Sequence, residues 1–241
     1  MRYTILDIET RIDKRLVRQV YHPDADLSDE DAYSQVRQQL KQDQGSDFFP
    51  ISFHIPVSIA VGQVDDERVL TAVETLAGED ADEETMVRTF WQRLDRFRGT
   101  LVTFNGRGFD LPVLELQALR YGCPAPHYFG GKARYRFSQD GHYDLYDFVT
   151  NYGAQRLRGG LNLLAKMIGL PGKVGIDGSL VQQYWEAGRL PEIHRYCRHD
   201  VIQTYFLFLR LELVQGRLTP DQYADIVERS AGFRQQLDAQ E

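Results

Sequence analysis

The stretch Ile5-Leu6-Asp7-Ile8-Glu9-Thr10, "ILDIET", decides how the rest of the chain is read. It has the apolar content of a buried strand over 3–8, yet it carries two carboxylates. Alternate residues of a strand face the same side. Asp7 and Glu9 therefore share a face with Tyr3 and Ile5, while Leu6 and Ile8 face away. A buried carboxylate without a partner costs several kcal/mol or gives up its charge. A divalent cation between the two side chains would relieve their repulsion, and oxygen ligands suit Mg²⁺ or Mn²⁺. Solvation at an exposed strand end would relieve it too. D-x-E alone favours solvation, because so short a motif is weak.

The 241 residues, 42% of them apolar, suffice for one large domain with its own core. No repeat and no Pro- or Ser-rich linker divides the chain. It reads as one domain over 1–241 with a helical insertion at about 11–53. Cys123 and Cys197 form no disulfide framework and no CxxC pair. The N-terminus runs straight into a strand, so no signal peptide is expected, and no apolar run reaches about 18 residues. A cytoplasmic protein without a membrane span is expected. The formal net charge of −7 argues against coating nucleic acid by bulk electrostatics. The charge is uneven, with six acids and no base from Glu74 to Glu84, but seven bases against three acids from Lys132 to Lys173. The second segment is either a phosphate-binding face or an ordinary solvated surface.

Residues 54–64 alternate like a strand and 68–76 form another, so the two are expected to pair as a hairpin. Residues 80–97 read as an amphipathic helix with an acidic first turn, stopped by Gly99. A strand follows over 100–106, then a helix over 110–122 with Asp110 at its cap and Pro112 in its first turn. Residues 142–149 are ambiguous. The remainder is helical, over 161–169, about 178–188, 190–214 and 219–236. Strands first, then a helix, a strand and helices make an α/β fold with a mixed sheet.

Two more segments carry candidate chemistry. In "FNGRGFDLPVL" (104–114) a strand ends, a glycine-bearing turn follows and Asp110 opens a helix. Such strand ends are where α/β folds build sites, although Asp is also among the best helix caps. "GRG" is not GxGxxG, and "GKVGIDGS" is not a P-loop, so neither nucleotide loop is present. In "HRYCRHDVIQTYFLFL" (194–209), Ile193, Cys197, Val201, Thr204 and Phe208 form an apolar helical stripe. Asp200 lies at or beside it, with Tyr196 one turn earlier on the same face. A metal, an arginine or a Tyr–Asp hydrogen bond would each satisfy that aspartate.

Taken in order, D-x-E (Asp7, Glu9), N-x-x-x-F-D (Asn105, Phe109, Asp110) and Y-x-x-x-D (Tyr196, Asp200) resemble the three motifs of the DEDD 3′–5′ exonucleases. The chain is similar to the free-standing bacterial proteins related to the proofreading exonuclease domain of family B DNA polymerases. The resemblance runs from Met1 to about Leu213, and "HYDLYDFV" followed by "LNLLAKMIGLPGK" fits the segment between the second and third motifs.

That resemblance implies a ribonuclease-H-like fold, a mixed central sheet flanked by helices. It also implies two divalent metal ions, Mg²⁺ or Mn²⁺. Asp7, Glu9, Asp110 and Asp200 would be their ligands, and Tyr196 would orient the attacking water. Arg195 stands where the sister subfamily has histidine, so the tyrosine subfamily fits. Thr10, Asn105 and Phe109 would line the substrate cleft, and Lys132, Arg158 and Lys173 are candidate phosphate contacts. The implied activity is 3′–5′ exonuclease on single-stranded nucleic acid, DNA before RNA.

Other features stay open on sequence alone. Phe48, Phe49 and Phe53 either stack on bases or pack the insertion onto the core, with packing favoured. Asp144 is a cap or a support for the carboxylates. The six histidines show no zinc spacing, and His194 and His199 read as structural or solvated. Two competitors remain. One is a nucleic-acid-binding module that has lost catalysis. The other is a plain α/β domain whose acids are caps and surface charges, which would leave three ordered motifs to coincidence.

Overall fold

The computed structural model describes residues 2–172 and 178–238. Five strands form one mixed sheet. β1 (Tyr3–Ile12) is central, with β2 (His54–Val64) antiparallel beside it and β3 (Leu70–Thr75) antiparallel to β2 at that edge. On the other side β4 (Thr100–Thr103) and β5 (His142–Asp144) run parallel to β1. The expected hairpin and the mixed α/β sheet are both present.

β1 ends at Ile12 rather than Ile8, because β2 pairs with it from Tyr3 opposite Val64 to Ile12 opposite His54. A bulge between Glu9 and Thr10 absorbs the register shift. The insertion therefore starts past Ile12 instead of at residue 11. It holds α1 (Lys14–Tyr21) and α2 (Asp29–Gln44), which close on their own small core of Ile12, Val17, Val36, Leu40, Phe49 and Phe53. Phe49 and Phe53 pack, as the sequence favours, whereas Phe48 stays 55% exposed.

The predicted alternation of β1 holds. Leu6 and Ile8 join α3 (Glu83–Arg96) and α4 (Asp110–Tyr121) in one core layer. Tyr3 and Ile5 face α9 (Leu190–Val214) in the other, where Tyr3 lies 4.8 Å from Phe208, ring to ring. The predicted stripe of α9 is buried throughout. Short helices fill the rest: α5 (Pro126–Gly130), α6 (Leu145–Val149), α7 (Gly160–Met167) and α8 (Val181–Glu186). The ambiguous 142–149 segment is β5 followed by α6, with Asp144 capping the helix.

The sequence predicts one terminal helix over 219–236, but the structure has two, α10 (Pro220–Arg229) and α11 (Ala231–Asp238). Ser230 ends α10, and its buried hydroxyl bonds the Tyr205 hydroxyl at 2.7 Å. That contact draws the chain inward and breaks the helix. Among the described residues no helix is long and apolar enough to cross a membrane.

One glycine sets how close α9 comes to the sheet. A Cβ on Gly62 of β2 would stand 2.9 Å from Val201 Cγ1 and 3.3 Å from Ile5 Cβ. Gly62→Ala should push Val201, and with it the neighbouring Asp200, off the sheet. The expected loss in urea denaturation is about 1–3 kcal/mol. Adding Val201→Ala, which removes the clashing methyl, should recover part of it. A fully stable Gly62→Ala chain would show that α9 is not held at this distance.

Candidate active site

β1 and β4 pair only from Tyr3 opposite Thr100 to Ile5 opposite Val102. Past Ile5 the strands part, and the gap is where the sequence motifs meet. The backbone N–H of Ile8 donates into it, to Asp110 Oδ1 at 3.1 Å. Asp110 is the first residue of α4 and not its cap, because Phe109 occupies the cap position and no side chain caps the helix. The carboxylate is turned across to β1 instead. Burial pushes its carboxyl up to about 7, Asp144 and Asp200 add to the rise, and backbone N–H donors including that of Ile8 oppose it.

Asp7 and Glu9 from β1 meet Asp200 from α9, with one oxygen from each carboxylate lying within 4.8 Å of the others. Glu9 and Asp200 are buried and Asp7 is half-buried. Burial raises the Asp7 carboxyl well above its ordinary value, followed by the charges of Asp200, Glu9 and Asp110. Asp110 stands beside this ring of three rather than within it. Tyr196 is buried one turn before Asp200. Its phenol is raised by burial first, then by Asp200, Glu9 and Asp7, and it hydrogen-bonds Asp200. It therefore stays protonated and serves as a donor beside the carboxylates. The donor set is all oxygen and strongly negative, which is the chemistry of a hard divalent cation.

Several residues that the motif search did not single out hold the ring. The Cys197 thiol points at Asp7, with the sulfur 3.3 Å from its carbonyl oxygen and 3.5 Å from Oδ2. Gln203 Nε2 donates to Asp200 Oδ1 at 3.1 Å. His194 Nε2 lies 3.0 Å from the Glu79 carbonyl, which can only accept, so Nε2 carries the hydrogen. Neutral Nδ1 then accepts from the Ser58 hydroxyl at 2.9 Å. Ser58 sits opposite Glu9 in the sheet. His199 is buried with its Nε2 at 3.3 Å from the Gln236 carbonyl. Both histidines are structural.

Asp144 does both things expected of it. It caps α6 and also fixes the turn before Asp110, accepting from the N–H of Asn105 at 2.9 Å and of Arg107 at 2.8 Å. Asn105 takes a left-handed conformation there (φ 64°), which ends β4 at Thr103 and short of the predicted residue 106. Gly106 follows because a Cβ would meet Thr103 Oγ1 at 2.4 Å.

Thr10 Oγ1 is 2.8 Å from His54 Nδ1, and His54 Nε2 is 3.1 Å from the Phe49 carbonyl. By the same tautomer logic Thr10 donates to neutral His54, whose burial lowers its pKa. Phe109 lies edge-on to His54 at 5.1 Å and 5.9 Å from Phe48.

Of the phosphate candidates, two lie among the described residues. Lys132 pairs with Asp140 at 3.3 Å, Arg158 is exposed on the loop before α7, and Lys173 lies outside the described residues.

Comparison with known proteins adds two findings. A family described as "Predicted 3′-5′ exonuclease related to the exonuclease domain of PolB" matches residues 46–240. That span includes Asp110, Tyr196 and Asp200 and begins after Asp7 and Glu9. Among solved structures, the chain is similar to the family B DNA polymerase from the hyperthermophilic archaeon Pyrobaculum calidifontis, with a TM-score of 0.55 and 20% identity. The alignment covers 88% of this chain and 24% of the polymerase, so the chain spans about a quarter of that protein. This likeness shows the fold, the ribonuclease-H-like mixed sheet flanked by helices. No curated protein matches.

The raised carboxyl of Asp110 has a measurable signature. A carboxyl whose folded value lies above its unfolded one keeps its proton longer when folded. The metal-free protein therefore loses stability through Asp110 as pH rises from the ordinary 3.8 towards about 7. Asp110→Asn removes that loss. In urea titrations with chelator, the variant should gain on the native chain between about pH 4 and about pH 7. A pH-independent difference would mean that Asp110 ionises normally.

Proposed function

We propose that this chain, which belongs to the family of predicted 3′–5′ exonucleases related to the exonuclease domain of PolB, removes nucleotides from the 3′ end of single-stranded nucleic acid, DNA in preference to RNA. The observation that carries this reading is the ring of Asp7, Glu9 and Asp200 within 4.8 Å, with Asp110 alongside and protonated Tyr196 bonded to its edge. Tyr196 four residues before Asp200, with Arg195 at the sister subfamily's histidine position, supports the tyrosine subfamily of the DEDD enzymes. A cytoplasmic setting and a single exonuclease domain over 1–241 belong to the same reading.

The reaction is hydrolysis. A water oxygen bonds to the phosphorus of the terminal phosphodiester, the bond from phosphorus to the O3′ of the penultimate nucleotide breaks, and that oxygen takes up a proton. The products are a 5′-mononucleotide and a strand with a new 3′-hydroxyl. Two divalent ions, Mg²⁺ or Mn²⁺, would when bound activate the water at neutral pH and offset charge on the leaving oxygen. Asp7, Glu9, Asp110 and Asp200 would hold them. Charge fits that role, because in this cluster burial and mutual repulsion oppose ionisation and a bound cation reverses both effects. The Tyr196 hydroxyl holds the attacking water by a hydrogen bond. Asp144 fixes the Asn105–Phe109 turn that presents the cleft wall.

The test is digestion of 5′-labelled single-stranded DNA and RNA of matched sequence with Mg²⁺, with Mn²⁺ and with EDTA. Metal-dependent shortening from the 3′ end is expected, faster on DNA. Asp7→Ala and Asp200→Ala should abolish it with the fold retained by circular dichroism. Tyr196→Phe should slow it about 100-fold while Mn²⁺ binding, followed by electron paramagnetic resonance, persists. Full activity in Asp200→Ala would end the metal assignment. No shortening of either strand, with Mn²⁺ bound, would favour a non-catalytic binding module.

A further inference from the structure

Asp200 is approached from both directions along its own helix. Tyr196, four residues earlier, hydrogen-bonds the carboxylate, and Gln203, three residues later, donates to Oδ1 from Nε2 at 3.1 Å. Side chains three and four apart share a helix face, so α9 alone supplies both donors. They differ in what the proposed reaction asks of them. The Tyr196 hydroxyl has one hydrogen, and while that hydrogen is on the attacking water it is not on Asp200. The Gln203 bond has no second task and stays in place.

A glutamine is an unfavourable residue for position 203. It is 1% exposed, and its neighbours Val201, Ile202, Tyr205 and Phe206 all belong to the apolar core. Its Oε1 is buried and finds no donor among the described residues. A buried acceptor in that state has lost its hydration without replacement. Turning the amide over brings no relief, because Oε1 would then face Asp200 Oδ1, acceptor against acceptor. Gln117 is buried in the same half-satisfied way, with Oε1 unmet and Nε2 on the His54 carbonyl at 2.9 Å. That bond ties α4 to β2 and so helps to hold two elements together. The Gln203 bond joins two residues of one helix and fastens no element to another. What it acts on is the carboxylate.

We infer that Gln203 is a positioning residue for Asp200. It fixes the rotation of the carboxylate, so that one oxygen stays aimed into the ring with Asp7 and Glu9 when the Tyr196 hydrogen is on water. The inference rests on the exonuclease reading and assigns that site a further residue, one that acts on the bound cation only through Asp200. The unmet Oε1 is then a cost in stability carried for the sake of the site.

The experiment titrates the full chain with Mn²⁺, followed by electron paramagnetic resonance, and unfolds it in urea with chelator. Gln203→Met keeps the length of the side chain and removes both polar atoms, and Gln203→Leu is the second apolar variant. Both should bind Mn²⁺ about 10–100-fold more weakly. Neither should have a lower urea midpoint, because the lost bond is local to one helix and an unmet acceptor goes with it. Native Mn²⁺ affinity in either folded variant would overturn the inference. So would weaker binding that comes with a lowered midpoint in both, since Gln203 would then be holding the fold. Digestion of single-stranded DNA is scored separately. Native Mn²⁺ affinity in Gln203→Met, with the native chain digesting DNA, overturns the role of Gln203 alone. Weakened Mn²⁺ binding in the variants, with no digestion by the native chain, overturns the exonuclease reading alone.

Discussion

The repulsion among Asp7, Glu9 and Asp200 is the constraint around which this molecule is arranged. Two of these carboxylates are buried, and all three approach within 4.8 Å. Left alone they would spread apart or hold protons. The surroundings prevent the first outcome. β1 pairs with β2 along its whole length, and α9 is seated on Gly62 by a contact too close for any side chain. The Cys197 thiol and the Gln203 amide then fix individual oxygens. A rigid frame that keeps like charges together has stored a preference for cations before any cation binds.

Much of this was legible in the sequence, and for identifiable reasons. Strand alternation put Asp7 and Glu9 on one face, and helical spacing put Tyr196 beside Asp200. Those are local rules, and local rules survive folding. The gap between β1 and β4 was not legible. It depends on where two strands stop pairing, and the left-handed Asn105 that shortens β4 gives no periodic signal. For the same reason Asp110 reads as a helix cap until the Ile8 N–H is seen to claim it. Cys197, Ser58 and His194 act through contacts distant in sequence, so nothing in their spacing marks these roles, while Gln203 reaches Asp200 from only three residues on. A count of charges likewise cannot see that Lys132, within the basic run, is paired with Asp140 at the surface.

The insertion shows how a segment can serve two ends. Its helices bury an apolar cluster of their own, which explains why a polar, charged stretch folds at all. The same packing of Phe49 and Phe53 leaves the intervening geometry fixed enough to hold Phe48 outward and to offer the Phe49 carbonyl to His54. Structure in the insertion and order at the carboxylates are therefore connected through one histidine ring.

The ring of carboxylates also has a history in time. Cys197 touches Asp7 across 190 positions of chain, and Asp200 lies three residues further on, so the site joins the first strand to the last long helix. Contacts of that span close late, after the chain entropy of everything between has been overcome. During synthesis the first two acids emerge at once, and their partner arrives only when α9 does. The ring of carboxylates thus stays incomplete until the last long helix has been made. The delay is written into the order of the elements, with β1 first and α9 near the end.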